Sequence, residues 1–396
     1  MADPAQNRAA ADRDGPRLDP VALLARLQER KAEMVQRLRE IVESESPSNN
    51  KAAVDRLGQR LGALFESAGG RIKFHRSDNF GDHLQVDFAG DSSHKPVLLL
   101  GHFDTVWDVG TLSTMPFRVD NGRAFGPGSF DMKAGIVQGL FAIETLRQGG
   151  LPRPLTVFLV TDEEVGSDSS RAITEELARK SAAVLVLEPS HGPEGALKTS
   201  RKGVGDFTVT VHGVAAHSGL DFEKGQSAII ELAHQITAIE KFTDVERRLT
   251  VNPGIIEGGT RTNVIAAVAT AYVDARIQRL QDAPYMEQLF RSLKPVNPRC
   301  TLEVSGAINR PPLERTEAVA ALFEQAKGIA KALGWKLTEA AVGGGSDGNF
   351  TGALGIPTLD GLGALGEGAH AVNESVVIDE MPRRAALVAS LIAHID

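Results

Sequence analysis

Seven acidic or imidazole side chains lie where predicted strands end or in glycine-rich turns. They are His102, Asp104, Asp131, Glu163, Glu164, Glu188 and His370. In an open parallel sheet, ligands bind beyond the carboxyl ends of the strands, so such side chains can meet in one site. Carboxylates brought together without partners repel one another, and their desolvation is costly. A divalent metal ion bound between the carboxylates would offset both the repulsion and the desolvation cost. The residues therefore predict metal-assisted hydrolysis, with ligands of the type that catalytic zinc takes and one carboxylate acting as general base.

Each of these residues also has a structural interpretation when it is considered alone. A histidine after a strand, such as His102, is usually a turn or core residue, and the pair Glu163 and Glu164 could be solvated loop charges. Glu188 could simply end a strand before Pro189. The functional interpretation is favoured because four successive strand ends of one predicted sheet each carry a histidine or a carboxylate. Two metal ions about 3.5–4 Å apart could share a bridging carboxylate and a bridging water.

The elements that must position these residues alternate along the outer parts of the chain. Residues 21–43 and 52–70 repeat apolar side chains at helical spacing, and short apolar strands then alternate with helices as far as residue 190. This order predicts an α/β fold, a mostly parallel sheet covered by helices. Residues 1–20 lack periodicity and bulky apolar side chains, so we expect a disordered tail there.

The pattern changes between residues 197 and 311. Strands and helices here follow the order β-α-β-β-α-β, which is typical of a ferredoxin-like α+β unit. We therefore expect a catalytic, zinc-binding domain made of residues 21–196 and 312–396. Residues 197–311 would form an inserted unit.

Composition limits the possible partners. The 396 residues carry a net charge of −8, with 42% hydrophobic and 24% charged residues, and no apolar run could span a bilayer. A nucleic acid or a membrane is therefore not expected as a partner. The single cysteine, Cys300, excludes an internal disulfide and a cysteine-based zinc cluster. The polar start of the sequence lacks an apolar signal segment, so we expect a cytoplasmic location. The spacing of a phosphate-binding loop is absent.

The motifs GHFDTV, GPGSFDMKAG, TDEEVGS, VLEPS, GVAAHSG, GGGSDGN and GAHAVNE occur in this order. In combination they resemble those of the M20 family of metallopeptidases, from about residue 20 to the C-terminus, and most closely its glutamate carboxypeptidase branch. The resemblance implies two Zn²⁺ ions per subunit, with Co²⁺ or Mn²⁺ as possible substitutes. Asp131 would bridge them, His102 and Glu188 would complete one site, and Glu164 with His370 the other. It also implies a cis peptide bond after Asp131.

The same resemblance implies that the inserted unit, residues 197–311, is a lid and dimerisation domain. It also gives roles to residues beyond the metal ligands. Glu163 would be the general base, Asp104 would orient His102, and His217 would stabilise the oxyanion in the active site of the partner subunit of a homodimer. Substrate-binding roles fall on residues of the inserted unit and of a glycine-rich loop: Asn263, Arg276, Arg310, Gly344, Gly345 and Ser346. Arginines suit this role because their planar fork pairs with a carboxylate in two places.

These assignments predict a di-zinc metallocarboxypeptidase that cleaves the amide bond before a C-terminal acidic residue, with glutamate favoured. Its substrate would be a small molecule or short peptide with a free carboxylate. Two alternatives remain: a deacylase of N-acyl amino acids with the same metals and a different pocket, and a binding protein without catalysis. The intact set of ligands and the presence of Glu163 argue against the binding protein.

Overall fold

The structure is a computed structural model that describes residues 19–395. It divides into two compact units. The first takes in the chain as far as Thr199, then Arg315–Ala341 and the chain from Ser346 onward. The second comprises Ser200–Glu314 and Val342–Gly345. The segment 342–345 thus groups with the second unit, whereas the sequence pattern had assigned it to the outer one.

Ten α-helices occur in the described residues. They are α1 (Pro20–Glu29), α2 (Lys31–Val42), α3 (Lys51–Ser67), α4 (Ala134–Arg147), α5 (Arg171–Lys180), α6 (Ala228–Glu240), α7 (Ala283–Arg291), α8 (Glu317–Ala332), α9 (Gly348–Ala353) and α10 (Met381–His394).

Sixteen strands accompany them in the same part of the chain. They are β1 (Arg71–His75), β2 (His83–Phe88), β3 (Val97–His102), β4 (Arg118–Asp120), β5 (Arg123–Phe125), β6 (Leu155–Val160), β7 (Ala183–Val186), β8 (Leu197–Arg201), β9 (Gly203–His212), β10 (Thr250–Gly258), β11 (Val268–Ile277), β12 (Thr301–Arg310), β13 (Glu339–Val342), β14 (Thr358–Leu359), β15 (Gly366–Glu367) and β16 (Ser375–Val377).

The N-terminal helical region differs from the sequence prediction in two ways. The tail predicted for residues 1–20 lies outside the described residues except for its last two, and these begin a helix. The side chain of Asp19 accepts a hydrogen bond from the backbone of Val21, and Pro20 occupies the first turn, where its missing N–H is not needed. The single helix predicted over residues 21–43 is interrupted at Arg30, whose backbone is not helical (φ −96°, ψ 8°).

The first unit is built on a six-stranded sheet with the order β1-β2-β6-β3-β7-β14. Strands β6, β3, β7 and β14 pair in parallel, whereas β1 and β2 join the sheet antiparallel at one edge. Alternate residues of β3 enter different apolar clusters. Val97 and Leu99 join a cluster formed with α1–α4, α8 and α10, and Leu98 and Leu100 join one formed with α5. Both faces are therefore covered, which confirms the predicted α/β class.

A small second sheet of the first unit was not predicted from the sequence. Strands β4, β5, β15 and β16 pair antiparallel in the order β15-β16-β5-β4. Each strand has only two or three residues, too few to give a period-two pattern. Because β16 pairs with β5, this sheet places the segment of β15 and β16 beside the turn that follows β5.

The second unit has the predicted order β9-α6-β10-β11-α7-β12. Its four strands form an antiparallel sheet in the order β10-β11-β9-β12, the arrangement of a ferredoxin-like unit. Leu232 and Ile239 of α6, with Met286 and Phe290 of α7, pack on one face of the sheet in a separate core. Within residues 19–395, no helix is long and apolar enough to cross a membrane.

Candidate metal centre

Three neighbouring parallel strands of the first unit end at the same edge of its sheet. Strand β3 ends at His102, which pairs in register with Val160, the last residue of β6. Glu163 and Glu164 follow β6, and Glu188 follows β7 on the other side of β3. All six residues of β3 are buried, so its position is fixed on both faces. The fold therefore presents one imidazole and several carboxylates at adjacent strand ends.

The first group of candidate metal ligands consists of His102, Asp131 and Glu188. Their ligand atoms all lie within 4.8 Å of one another. Nε2 of His102 is 3.2 Å from Oδ1 of Asp131 and 3.5 Å from Oε1 of Glu188. These three residues are the ones that the sequence assigned to a single zinc ion.

The second group consists of Asp131, Glu164 and His370, which meet the same 4.8 Å limit. Nε2 of His370 lies 3.1 Å from Oε2 of Glu164 and 3.6 Å from Oδ2 of Asp131. Asp131 thus presents one carboxylate oxygen to each group. It is the only residue that the two groups share.

The electrostatics of the cluster fit divalent cations. Burial opposes charging of the His102 ring, but hydrogen bonds with Asp104, Asp131 and Glu188 outweigh it and raise the pKa of His102 well above its usual value. A hydrogen bond with Glu164 is the main cause that raises the pKa of His370 to about 9. The carboxylates outnumber the histidines, so the site has a deficit of positive charge. Nitrogen and oxygen donors in this proportion suit catalytic zinc.

One carboxylate oxygen of the site, Oε1 of Glu164, is buried without a hydrogen bond from any residue between 19 and 395. Burial also raises the pKa of Glu164, although His370 acts in the opposite direction. Buried acceptors are normally satisfied, so unsatisfied oxygens at a charged site indicate an interaction with a cation or water.

Asp104 connects the two groups. Its Oδ1 lies 3.4 Å and its carbonyl oxygen 3.1 Å from Nδ1 of His102, the ring nitrogen turned away from Asp131. Its Oδ2 accepts hydrogen bonds from Oγ of Ser48 (2.7 Å) and from the backbone N–H of Glu164 (3.3 Å). A carboxylate in this position fixes the orientation and tautomer of a ligating histidine. Ser48 was not predicted to belong to the site, because it lies 56 residues before Asp104 in a segment without a motif.

The turn that carries Asp131 has several unusual backbone features. Gly128 has a positive φ of 69°, and a Cβ atom there would lie 2.6 Å from the Thr105 side chain. The peptide bond between Asp131 and Met132 is cis, in agreement with the sequence resemblance. The carboxylate of Glu374 accepts hydrogen bonds from backbone N–H groups of this turn. Glu374 closes the motif GAHAVNE, but the sequence had given it no role.

Glu163 begins a short 3₁₀ turn that ends at Val165. The turn is held from both sides. Asp162 before it accepts hydrogen bonds from the backbone and hydroxyl of Ser169, and Ser167 after it donates to Asp347. Ser167 has a positive φ of 63°, an uncommon conformation for a non-glycine residue. The predicted base therefore sits on a segment with a defined backbone.

The site differs in exposure from one side to the other. The His102 side chain is 2% exposed, whereas that of His370 is 50% exposed. His370 also has a positive φ of 61° and lies between Gly368 and Glu374 in a chain of short turns. Solvent and small molecules can therefore reach the cluster from the His370 side.

Among the residues predicted in the second unit, His217 and Asn263 lie close together. The backbone N–H of Ser218 donates a hydrogen bond to the carbonyl oxygen of Asn263 at 3.1 Å. The backbone of His217 forms an isolated antiparallel β-bridge with that of Val264. Nδ1 of His217 accepts hydrogen bonds from the N–H groups of Gly219 (3.1 Å) and Leu220 (3.2 Å). In the neutral ring this leaves the proton on Nε2, so an exposed imidazole presents a donor, as stabilisation of an oxyanion requires.

The two predicted arginines of the second unit have different surroundings. Arg276 forms a bidentate ion pair with Asp274, two residues earlier on β11, with Nε–Oδ1 and Nη2–Oδ2 distances of 2.9 and 2.7 Å. Arg310 is buried at the end of β12, after a β-bulge, and a Cβ atom on Gly345 would lie 2.8 Å from its Cδ. The absence of a side chain at Gly345 therefore leaves room for Arg310.

Arg201 is a further residue of this region that was not predicted. Its Nη1 donates to the carbonyl oxygens of Gly344 (3.2 Å) and Gly345 (2.8 Å) and thereby fixes the predicted substrate loop. Ser346, which follows Gly345 in the chain, belongs to the first unit. Its fully buried hydroxyl donates a hydrogen bond to Asp360 at 2.6 Å. The Ser346 side chain is thus engaged inside its own unit, and its role in substrate binding stays a prediction.

Comparison with known proteins agrees with this geometry. Residues 98–394 match the sequence profile of peptidase family M20/M25/M40, so the chain belongs to that family. Carboxypeptidase G2 from Pseudomonas sp. (strain RS-16) is 29% identical over 367 residues, which are 91% of this chain and 88% of that protein. A probable carboxypeptidase from Aspergillus terreus is 32% identical over 206 residues, 48% of this chain and 46% of that protein.

Solved structures of the same fold include a tripeptidase from Staphylococcus aureus, with a TM-score of 0.76, 22% identity and coverage of 92% of this chain and 98% of that one. An M20 family metallo-carboxypeptidase from Sulfolobus solfataricus has a TM-score of 0.73 at 18% identity, covering 91% and 98%. The protein is therefore a metal-dependent hydrolase of the metallopeptidase class, which confirms the family and the enzyme class predicted from the sequence.

Proposed function

We propose that the protein is a di-zinc carboxypeptidase that hydrolyses the amide bond before a C-terminal glutamate. The observation that carries this proposal is the position of Asp131, which offers one oxygen to each of two histidine and carboxylate groups. His102 and Glu188 would hold one Zn²⁺, and Glu164 and His370 the other. Relatedness to carboxypeptidase G2 over 91% of the chain supports a carboxypeptidase among the possible activities of the family.

The residues of the chain have distinct tasks in the proposed reaction. Bound metal ions would polarise the scissile carbonyl and lower the pKa of a water molecule. Glu163 accepts a proton from that water as it attacks and passes it to the leaving nitrogen. Asp104 holds the His102 ring in place, and Nε2–H of His217 from the partner subunit donates to the oxygen that gains negative charge. Asn263 and Arg276 hold the substrate's α-carboxylate.

Specificity for glutamate would come from Arg310. Its guanidinium suits the side-chain carboxylate of the substrate, and the loop at Gly344 and Gly345, fixed by Arg201, leaves it space.

A homodimer through the second unit is part of the proposal. Strand β10 is an edge of the antiparallel sheet, and its Ile255 and Ile256 are 58% and 60% exposed. Ile229 and Ile230 of α6, the helix that contacts β10, are also exposed. Exposed apolar side chains on an edge strand and the adjacent helix favour contact with another protein surface, and a second copy offers the same surface across a two-fold axis. A cytoplasmic location stays a prediction.

A substrate panel tests the function. N-acyl amino acids ending in glutamate, aspartate, alanine or lysine are incubated with the zinc-loaded enzyme, with the chelated enzyme, and with an Arg310→Ala variant. We expect hydrolysis only with metal, a preference for glutamate, and a loss in the variant of about 10- to 100-fold for glutamate but not for alanine, the worth of one charged hydrogen-bonded contact. Equal losses on both substrates would contradict the glutamate preference and favour a deacylase with a different pocket.

A further inference from the structure

Glu374 is a fully buried carboxylate that accepts four N–H hydrogen bonds. Its Oε1 accepts from the backbone of Phe130 (2.8 Å) and Asp131 (3.0 Å). Its Oε2 accepts from the backbone of Gly128 (2.8 Å) and from Nε1 of Trp107 (2.9 Å). An ionised carboxylate has about four acceptor positions, so these bonds use its full capacity. Glu374 is therefore engaged by the protein itself and is not available as a metal ligand.

The four donors and Glu374 belong to three segments that each carry proposed metal-site residues. Trp107 follows His102 and Asp104 on the segment after β3. Gly128, Phe130 and Asp131 form the turn of the shared carboxylate. Glu374 itself lies four residues after His370 and is joined to it by turns, in which Ala371 donates to Gly368 and Glu374 donates to Ala371, each at 2.9 Å.

Replacement of this carboxylate would affect all three segments together. Without it, four N–H groups in a buried region would lose their acceptors, which is costly for each group. The bond to the backbone N–H of Asp131 acts most directly, because it fixes the residue that both metal groups share. Bonds between a carboxylate and N–H donors are also stronger than neutral ones, so the segments are held firmly.

We propose that Glu374 is a positioning residue that sets the spacing of Asp131 and His370 and so determines the affinity and geometry of the metal centre. The inference rests on the metal assignment proposed above, and it adds a residue that touches neither metal nor substrate. It predicts that metal binding at the position next to His370 depends on Glu374, because the Glu374 carboxylate joins the turns of His370 and Asp131.

The experiment uses Glu374→Gln. The amide group has the same size, but its NH₂ end must face either the Phe130 and Asp131 donors or the Gly128 and Trp107 donors. We expect Zn²⁺ and Co²⁺ binding, measured by competition with a chelator, to weaken about 10- to 100-fold, the effect usual for partners of ligating residues. At saturating Co²⁺ the visible absorption spectrum should also change, a readout that a loss of global stability alone would not move.

The matched control is Glu367→Gln. Glu367 is an exposed glutamate on the same segment that pairs with Arg123, and its variant should bind both metals like the wild type.

A second variant keeps the test decisive if Glu374→Gln does not fold. Trp107→Phe removes one of the four donors and leaves the carboxylate with three, so it should weaken metal binding by less than Glu374→Gln. Wild-type affinity and spectrum in a folded Glu374→Gln variant would overturn the inference. If that variant does not fold, wild-type affinity in Trp107→Phe overturns it. A wild-type protein that binds no divalent metal would instead contradict the metal assignment itself.

Discussion

At the scale of single residues, the adjacent carboxylates Glu163 and Glu164 would have different tasks in the proposed reaction. Both lie in one 3₁₀ turn, in which successive side chains are about 120° apart around the axis. Oε2 of Glu164 reaches to 3.1 Å from Nε2 of His370. We therefore expect the Glu163 side chain to leave the turn in a different direction, which the proposed role of a proton acceptor without a metal bond requires.

Glu163→Gln tests this division of tasks. The amide keeps the size of the side chain but cannot accept a proton at useful pH. We expect kcat to fall by about 10²- to 10⁴-fold, the usual contribution of general acid–base catalysis. The KM and the metal content should change little. Steady-state kinetics and elemental analysis measure these quantities. Glu164→Gln is the comparison and should lose bound metal; a fully active Glu163→Gln variant would exclude the proposed base.

Individual ligands of the candidate site could be predicted from the sequence because they lie in short motifs, either at strand ends or in glycine-rich turns. His102, Asp131 and His370 were all identified in this way, and the structure brings them together. The supporting residues could not be found by the same reasoning. Glu374 is 246 residues from Gly128, and Arg201 is 143 residues from Gly344. Their contacts depend on the packing of distant segments, which no local spacing encodes.

At the scale of elements, α6 joins the core of the second unit to a neighbouring segment through Glu231. This glutamate is buried on the helix, and it accepts hydrogen bonds from the backbone N–H groups of Val296 (2.9 Å) and Asn297 (2.8 Å). Gln235, one turn later, donates a third bond at 2.6 Å. Burial alone would raise the pKa of Glu231, but these bonds outweigh it, and the pKa is lowered.

Glu231→Gln should destabilise the second unit, because its NH₂ group would face backbone N–H donors. The expected loss is about 1–3 kcal/mol near pH 7. A carboxyl group whose pKa is lowered by folding stabilises the protein above its unfolded pKa, and this contribution is lost as the pH falls through the folded value. The difference between variant and wild type should therefore shrink below about pH 4. Urea unfolding from pH 3 to 7 measures it, with Glu240→Gln at the exposed end of the same helix as control. A pH-independent difference would contradict the electrostatic explanation.

Most elements, and the order of both units, could be predicted from apolar periodicity. The errors have physical causes. The break at Arg30 leaves the apolar pattern of α1 and α2 almost continuous, so periodicity alone cannot detect it. Strands β15 and β16 are so short that their pairing depends on the segments around Glu374 rather than on their own side chains.

At the scale of the whole molecule, the proposed active site needs residues of two chains. His217 would act on the substrate bound by the partner subunit, and the apolar edge of β10 would supply the contact between copies. A two-fold axis would then give each dimer two composite sites.

Mixing two inactive variants tests this arrangement. In a heterodimer of Glu163→Ala and His217→Ala chains, one site carries both changes and the other carries neither. After subunit exchange at equal amounts, about a quarter of the wild-type activity should return, because half of the dimers are mixed and each has one intact site. Each variant alone is the control. No recovery, with heterodimers verified by differently tagged chains, would contradict a histidine acting between subunits.

The unequal exposure of the two histidines has a consequence for preparing the enzyme. A metal held on the half-exposed His370 side would exchange with solvent sooner than one held against the buried ring of His102. Brief chelation followed by a different ion should therefore yield molecules with two different metals in known positions. Spectroscopy could then report on each position by itself.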